Sequence, residues 1–252
     1  VVEHNFVRQS NDNALGQGHA ALWQYFCEDV VFQHNEVCET KTRLDGMAFD
    51  FDNSNQRCIY QYNYSHDNEG GFLNMCCDGN ANGNIARYNL SRNDGCTAGS
   101  RVFLVHGHGN HGCRVYNNTI CAGRGNPAMF EQGADSSGSS ILFQNNIFIN
   151  AGTGSFKAPR GCRFERNLYS GSGLVADDAM KIVGDPQLAD LRPAPGSPAL
   201  KAGLVIPDNG GRDYWGHPVS DSAPPHLGAF NGTPVLPSAA AGDVTKRTET
   251  IR

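Results

Sequence analysis

One asparagine recurs along most of the chain, at intervals of 21 to 30 residues. Each copy stands in a short stretch such as VFQHNEV, IYQYNYS or LFQNNIF, and the third residue before the asparagine is apolar every time. The seven positions are Asn5, Asn35, Asn63, Asn89, Asn118, Asn146 and Asn167. A repeat of this length with an apolar strand in every copy is typical of solenoids, in which each repeat buries its apolar face against the next.

A second short strand lies between the asparagines, as in DGMAFDFD and EGGFLNMC. In the first of these, Phe49 and Phe51 alternate with Asp50 and Asp52, which is the period of a strand with one buried face. Each interval has room for two or three such strands and shows no helical pattern. We therefore predict an all-β chain of stacked coils, with Asp50 and Asp52 facing solvent.

Two features of the sequence resemble a known family. The asparagine at one fixed point per coil resembles the asparagine ladder of right-handed parallel β-helix proteins. The segment GDPQLADLRPAPGSPALKAG, followed by RDYWGHPV and PHLGAF, is similar to the C-terminal part of secreted bacterial β-helix proteins of the carbohydrate-active type, in the pectate-lyase-like superfamily. The resemblance covers nearly the whole chain and implies a single right-handed parallel β-helix with about seven coils.

The predicted domain organisation follows from where the repeat ends. We predict one β-helix domain over residues 1–230, with coils to residue 183 and an irregular Pro- and Gly-rich cap over 184–230 that folds back over the last coil. Residues 231–252 are polar and lack apolar periodicity, which predicts a flexible tail. The first residues are already in mid-coil, so we expect further coils upstream. We also expect a monomer.

Charge and cysteine content narrow the expected partners and location. The formal net charge is -5 and the longest basic run is TKR near the C-terminus, so nucleic acid is not an expected partner. The chain lacks an apolar run of the roughly 18 residues that a spanning helix needs, so we expect no membrane segment. Nine cysteines without a C-x-x-C pair predict a secreted protein, extracellular or periplasmic, with some disulfides.

Two acidic residues occupy equivalent positions in neighbouring repeats. Asp45 and Glu69 begin DGMAFDF and EGGFLNM, 24 residues apart. If these patterns stack in register, their backbones lie about 4.8 Å apart, and the carboxyl groups approach the roughly 5 to 5.5 Å separation of retaining glycosidases. Glu69, on the longer side chain and beside two glycines, is the predicted general acid. The second carboxylate is Asp45, or else Asp50 or Asp52 at the wider separation of inverting enzymes.

Each of these acids also has a purely structural interpretation. Solvent-facing strand positions are commonly polar, which accounts for Asp50 and Asp52 without any chemistry. An acid before glycine can simply begin a turn, which accounts for Glu69. The sequence leaves both interpretations open, and the distances between the carboxyl groups discriminate between them.

Five further residues are predicted to contact a substrate in the same groove: His66, Asn74, His106, Trp23 and Arg101. His66 precedes the strand of Glu69, although SHDN is also ordinary turn chemistry. Strand parity leaves Trp23 either stacked on a sugar ring or in the core, and the core is favoured. Arg101 could pair with an acidic sugar, although an ion pair with Glu69 or Asp94 is the default interpretation.

The stretch HGHGNHG contains three histidines, His106, His108 and His111. A His-x-His pair on a strand can hold a metal ion, but no acidic or cysteine ligand accompanies it locally. We therefore predict a substrate contact for His106, no resident metal and no cofactor.

Three functions remain open at the level of sequence. The leading prediction is a glycoside hydrolase that cleaves a polysaccharide or oligosaccharide laid along the groove. The second is a polysaccharide lyase, in which Asp50, Asp52 and Glu69 would hold Ca²⁺ against a uronic carboxylate. The third is a carbohydrate-binding or adhesive β-helix without catalysis, because a fold does not dictate a function.

Overall fold

The computed structural model describes most of the chain. The described residues are 1–12, 19–41, 45–77, 79–123, 125–133, 139–150, 152, 154, 156–171 and 177–236. Most of the predicted tail, 237–252, lies outside them. The described residues form 24 strands and no helix, so none of them belongs to a helix that is long and apolar enough to cross a membrane.

The strands are short and recur with the period of the sequence repeat. The first twelve are β1 (Val2–Glu3), β2 (Phe6–Arg8), β3 (Leu22–Gln24), β4 (Val31–Gln33), β5 (Glu36–Cys38), β6 (Met47–Phe51), β7 (Ile59–Gln61), β8 (Tyr64–His66), β9 (Gly71–Cys77), β10 (Ala81–Asn82), β11 (Ile85–Arg87) and β12 (Leu90–Asp94). The others are β13 (Arg101–Gly107), β14 (Asn110–His111), β15 (Cys113–Tyr116), β16 (Thr119–Ala122), β17 (Ala128–Gln132), β18 (Ile141–Gln144), β19 (Ile147–Asn150), β20 (Cys162–Glu165), β21 (Leu168–Gly171), β22 (Ile182–Val183), β23 (Leu188–Ala189) and β24 (Arg192–Pro193).

Three long sheets run along the stack, and successive strands of each sheet come from successive coils. Sheet A has the order β1-β4-β7-β11-β15-β18-β20, sheet B the order β2-β5-β8-β12-β16-β19-β21-β22, and sheet C the order β3-β6-β9-β13-β17. Neighbouring strands pair in parallel throughout the three sheets. The predicted parallel β-solenoid is therefore confirmed, with about five turns contributing to all three sheets in the described part of the chain.

The recurring asparagines form a continuous ladder between sheets A and B. From Asn5 to Asn167, each amide Nδ2 donates to the Oδ1 of the next ladder asparagine at 2.9 to 3.0 Å. Each backbone N–H of the ladder donates to that same oxygen. The carboxylate of Asp178 accepts from the last amide at 3.0 Å. The ladder thus satisfies the buried polar groups of a tight bend in every coil.

Aromatic rings fill the interior and fix the position of sheet C. The ring of Phe103 contacts Phe72 and Phe130, with centroids 5.5 and 5.3 Å apart. Tyr60 is fully buried, and its hydroxyl donates to the backbone carbonyl of Asp50 at 2.8 Å. A core residue is therefore hydrogen-bonded to the backbone of β6, the strand that contains Asp50.

The chain after the last coil folds back along the solenoid. Within residues 184–230, Ile206 and Val219 pack with Tyr88 and Tyr116, which belong to two successive coils. The cap therefore covers the side of the stack and not only its last coil, so apolar rings that would otherwise be exposed at this corner are buried.

The described cysteines do not support the predicted disulfides. Thiols outside any disulfide are found at Cys27, Cys38, Cys58, Cys96, Cys121 and Cys162. Burial raises the pKa of the Cys121 and Cys162 thiols to about 12 in each case, so both remain protonated and unreactive at neutral pH.

Gly70 is predicted to be essential for the spacing of two coils. A Cβ atom at this position would lie 2.3 Å from the carbonyl carbon of Gly46 on the preceding coil. We expect Gly70→Ala to lower the free energy of unfolding by about 1 to 3 kcal/mol, because backbone must move to relieve the overlap. Urea denaturation measures the change. Gly79→Ala is the control, since its Cβ would meet only Ser54 Oγ at 3.8 Å; equal losses in the two variants would contradict the prediction.

Candidate active site on sheet C

The outer side of sheet C, here called face C, presents two rows of side chains. The register of five adjacent strands places in one row Trp23, Asp50, Asn74, Leu104 and Glu131. The second row contains Cys76 and His106, which pair directly. Phe51 pairs with Met75, so one more step of the same register places Asp52 beside Cys76. Parallel stacking thus brings together residues that lie one coil apart in sequence.

Asp50 lies in the middle of face C and is only 5% exposed, whereas the sequence predicted a solvent-facing carboxylate. Its Oδ2 accepts a hydrogen bond from Asn74 Nδ2 at 3.0 Å. Burial raises the pKa of Asp50 well above its ordinary value, and the charges of Asp52 and Asp45 raise it further. The structure therefore favours the neutral form of this carboxyl group.

Asp45 occupies the turn before β6 and is partly exposed. Burial raises the pKa of its carboxyl group to about 6; the nearby positive charges of His19 and Arg101 lower it, and the negative charge of Asp52 raises it. A carboxyl group with a pKa near 6 holds its proton in mildly acidic solution and can still donate it, which suits a general acid.

Asp52 follows the last residue of β6 and interacts electrostatically with both Asp45 and Asp50. Asp45 and Asp52 are seven residues apart in sequence, which would separate them widely on a straight strand. The consecutive residues Ala48 and Phe49 of β6 both belong to the core, so this part of the strand departs from strict alternation between the two faces. The charge of Asp52, just after the strand, acts on the carboxyl group of Asp45, just before it.

Exposed aromatic rings border the carboxylates. Trp23 is 41% exposed and its ring stacks on His19, with centroids 5.7 Å apart. Tyr25 and Phe26 follow it and are also exposed. The favoured core position of Trp23 is therefore wrong, because this residue shares the outer row of Asp50. Exposed rings beside polar groups are suited to stacking against the faces of sugar rings.

Two further predicted residues, Arg101 and His106, also belong to β13 of sheet C. Arg101 is 7% exposed, and its positive charge acts on the carboxyl group of Asp45. His106 is half-buried, and its Nδ1 lies 3.8 Å from Cys76 Sγ. Arg101 therefore supplies a buried cation beside the acids, and His106 belongs to the second row together with Cys76.

Glu69 stacks on the coil of Asp45 as the sequence predicts, because Gly70 N donates to Gly46 O at 3.2 Å. Its carboxylate lies 3.5 Å from the ammonium group of Lys41, and its side chain is 29% exposed. Glu69 thus has a cationic neighbour of its own at the start of the strand. Asp45, in contrast, interacts with the other two aspartates of face C.

His66 lies on sheet B and not on face C. Its Nδ1 is 2.7 Å from Asp67 Oδ2 and its Nε2 is 3.1 Å from Glu36 Oε1. Burial lowers the pKa of His66, but the hydrogen bonds to the two carboxylates outweigh it, and the pKa is raised to about 9. The turn between β8 and β9 carries the chain from one sheet to the next and so separates His66 from the aspartates.

Sequence reasoning missed two residues of the site, His19 and Cys76. His19 is the first residue of the aromatic stretch HAALWQYF, four residues before Trp23. This proximity to Trp23 could have indicated that His19 lies at the site. Cys76 alternates with Met75 in EGGFLNMC, so its outward direction followed from strand parity.

Fold and site together define a class of protein: a parallel β-solenoid with three clustered aspartates, a buried arginine and exposed aromatic rings on one outer face. No protein-family model matches the chain. In an alignment of 281 positions the chain is 30% identical to the lacto-N-biosidase of Bifidobacterium longum subsp. longum, a glycoside hydrolase. The alignment covers 93% of this chain and 17% of that relative, so the chain spans a small part of the relative's length.

Proposed function

We propose that this chain carries the active site of a glycoside hydrolase that cleaves an oligosaccharide bound on face C. The observation that carries the proposal is the position of Asp45 beside face C, where burial and, to a smaller extent, the charge of Asp52 raise the pKa of its carboxyl group to about 6. The similarity to a lacto-N-biosidase supports the same class of reaction. Two carboxyl groups of unequal proton affinity are what glycoside hydrolysis requires.

The two aspartates take different roles in the proposed reaction. Asp45 donates its proton to the glycosidic oxygen as the bond to the anomeric carbon breaks. Asp52, whose Oδ1 is oriented by the backbone N–H of Asn53 at 2.7 Å, is the second carboxylate. If Asp52 attacks the anomeric carbon, a water molecule deprotonated by Asp45 then cleaves the bond between the sugar and Asp52, and that proton restores Asp45. If Asp52 instead removes a proton from the attacking water, Asp45 regains its proton from solvent.

Asp50 is proposed to act through its neighbours. Its carboxyl group is buried and accepts a hydrogen bond from Asn74, and the charges of Asp45 and Asp52 act on it. Its charged form would repel Asp45 and Asp52, so keeping it neutral leaves a single negative charge to be shared by the reacting pair. Asp50 is a positioning residue, and Asp50→Asn is expected to affect activity less than a change at Asp45.

The substrate is proposed to lie across the aromatic border of the site. Trp23 and Tyr25 expose ring surface next to the outer row, with ring centroids 6.3 Å apart in an edge arrangement. Stacking of a sugar on Trp23 would place the next linkage over Asp50 and its neighbours, because Trp23 and Asp50 are directly paired across adjacent strands.

The proposed function is tested by product analysis on a substrate panel. The panel contains an oligosaccharide substrate of the lacto-N-biosidase together with neutral and uronic polysaccharides. Release of reducing sugar supports the hydrolase, and absorbance from unsaturated uronic products supports the lyase alternative. Binding without either signal supports a carbohydrate-binding protein and contradicts the proposal.

The pH dependence of kcat follows from the proposed proton donor. Asp45 must be protonated to act, and its pKa is raised to about 6. We therefore expect kcat to fall as pH rises through about 6 and to decrease about tenfold per pH unit above it. Steady-state measurements of kcat between pH 4.5 and roughly 8 test for this decline. A rate that increases over that range would assign Asp45 the role of base.

A further inference from the structure

A cluster of three potential metal ligands lies on sheet B, outside the proposed active site. Glu36 and Cys38 are the first and last residues of β5 and point to the same side of the strand. His66 lies directly opposite Cys38 on the adjacent strand β8. One donor atom from each of the three residues lies within 4.8 Å of the other two.

The two nitrogens of His66 have distinct neighbours. Nε2 points toward Glu36, 3.1 Å from Oε1, and therefore toward the cluster. Nδ1 bonds Asp67 Oδ2 at 2.7 Å on the opposite side of the ring. The other oxygen of Asp67 accepts a hydrogen bond from Asn93 Nδ2, which fixes the carboxylate. A carboxylate behind the imidazole is the usual support of a histidine that binds a metal through its other nitrogen.

We propose that Glu36, Cys38 and His66 bind a zinc ion. Zinc takes thiolate sulfur, imidazole nitrogen and carboxylate oxygen at roughly 2.0 to 2.3 Å, which sets the ligand atoms about 3.3 to 3.8 Å apart in a tetrahedron. The donor atoms of the cluster lie within 4.8 Å of one another, so movements of about 1 Å would bring them to that spacing. Zinc binding would displace one proton from the Cys38 thiol and one from the His66 imidazolium. The resulting thiolate and neutral imidazole, together with the Glu36 carboxylate, would balance the charge of the ion.

The site would join two coils of the solenoid. Its ligands come from the adjacent strands β5 and β8, and Cys38 is 2% exposed while the other two ligands are partly exposed. Three protein ligands leave the fourth position of the ion to water or another ligand on the open side. Binding to the folded chain alone would raise its thermal stability with the logarithm of the ratio of zinc concentration to dissociation constant.

Zinc and cobalt titrations of the reduced full chain test this proposal. We expect uptake of one Zn²⁺ per chain, and a sulfur-to-cobalt charge-transfer band when Co²⁺ is bound instead. Cys38→Ser should remove the band, and His66→Gln should weaken binding by at least about tenfold. Asp67→Asn should keep the band and weaken binding by about 10 to 100-fold, because it supports a ligand without being one.

Cys121→Ser is the matched control, since Cys121 lies on β16 of the same sheet and outside the cluster. It should bind both metals as the unchanged chain does. Circular dichroism reports whether each variant is folded. If Cys38→Ser does not fold, the zinc affinities of His66→Gln and Asp67→Asn test the proposal in its place. Absence of zinc uptake, a charge-transfer band that survives Cys38→Ser in folded protein, or equal losses in Cys121→Ser would each overturn the assignment.

Discussion

Asp45→Asn is expected to lower kcat for glycoside hydrolysis by about 10²- to 10⁴-fold, the usual contribution of a general acid. Asparagine keeps the size of the side chain but carries no proton with which to assist the leaving oxygen. Asp45 is the aspartate of face C whose pKa is raised to about 6 and whose side chain is still partly exposed. Initial rates of reducing-sugar release, measured at saturating substrate, give kcat directly. The decline of kcat above pH 6 should disappear in this variant.

Glu69→Gln is the matched comparison for Asp45→Asn. Glu69 lies at the equivalent position one coil further on, but its carboxylate is 3.5 Å from the Lys41 ammonium group. If Asp45 is the proton donor, Glu69→Gln retains most of the activity. Loss of activity in Glu69→Gln with full activity in Asp45→Asn would restore Glu69 as the general acid.

Loss of catalysis in Asp45→Asn should not result from unfolding. The pKa of Asp45 is raised in the folded chain, so folding favours its protonated form. Its contribution to stability is therefore fully present below the unfolded pKa, near 4, and is lost as pH rises toward about 6. At pH 7 the asparagine variant lacks the buried charge, and we expect a midpoint of thermal unfolding no lower than that of the unchanged chain.

Asn118→Ala is expected to lower the free energy of unfolding by about 3 kcal/mol or more, since each buried polar group left unpaired costs about 1 to 3 kcal/mol. The Asn118 amide donates to Asn146 Oδ1 and to the Ala86 carbonyl, both at 3.0 Å. Its Oδ1 accepts from the backbone and side-chain nitrogens of Asn89 at 2.9 and 3.0 Å. Alanine would leave these partners buried without replacement. Chemical denaturation with a linear extrapolation measures the loss.

The control for this prediction is Asn5→Ala, at the first position of the described ladder. Asn5 also donates its amide to the next asparagine, at 2.9 Å, but its side chain is exposed in this chain. Water can replace its lost hydrogen bonds, so the expected cost is below about 1 kcal/mol. Equal costs at Asn5 and Asn118 would show that burial of the ladder is not the source of its stability.

The coils and the ladder could be predicted from sequence because both depend on local, periodic signals. An apolar residue three positions before each asparagine defines a strand, and the repeat length defines the coil, without knowledge of distant contacts. The stacking of Asp45-Gly46 on Glu69-Gly70 followed in the same way, since equivalent positions of successive coils must lie side by side.

The arrangement of the candidate site depended on information that strand parity does not contain. Parity placed Asp50 on the outer side but could not show that it is 5% exposed there. Parity also did not predict that Ala48 and Phe49, two consecutive residues of β6, both belong to the core, or that the charge of Asp52 acts on the carboxyl group of Asp45.

Two histidines, His66 and His19, show the same limit. His66 is three residues from Glu69 in sequence, yet a turn places it on a different sheet, beside Glu36 and Cys38. His19 lies 26 residues before Asp45, yet stacking of coils brings it close enough to act on that carboxyl group.

Periodicity in the sequence was sufficient to predict the coils and their order. Burial, proton affinity and the grouping of side chains came from tertiary packing, because they depend on which residues cover one another across the turns.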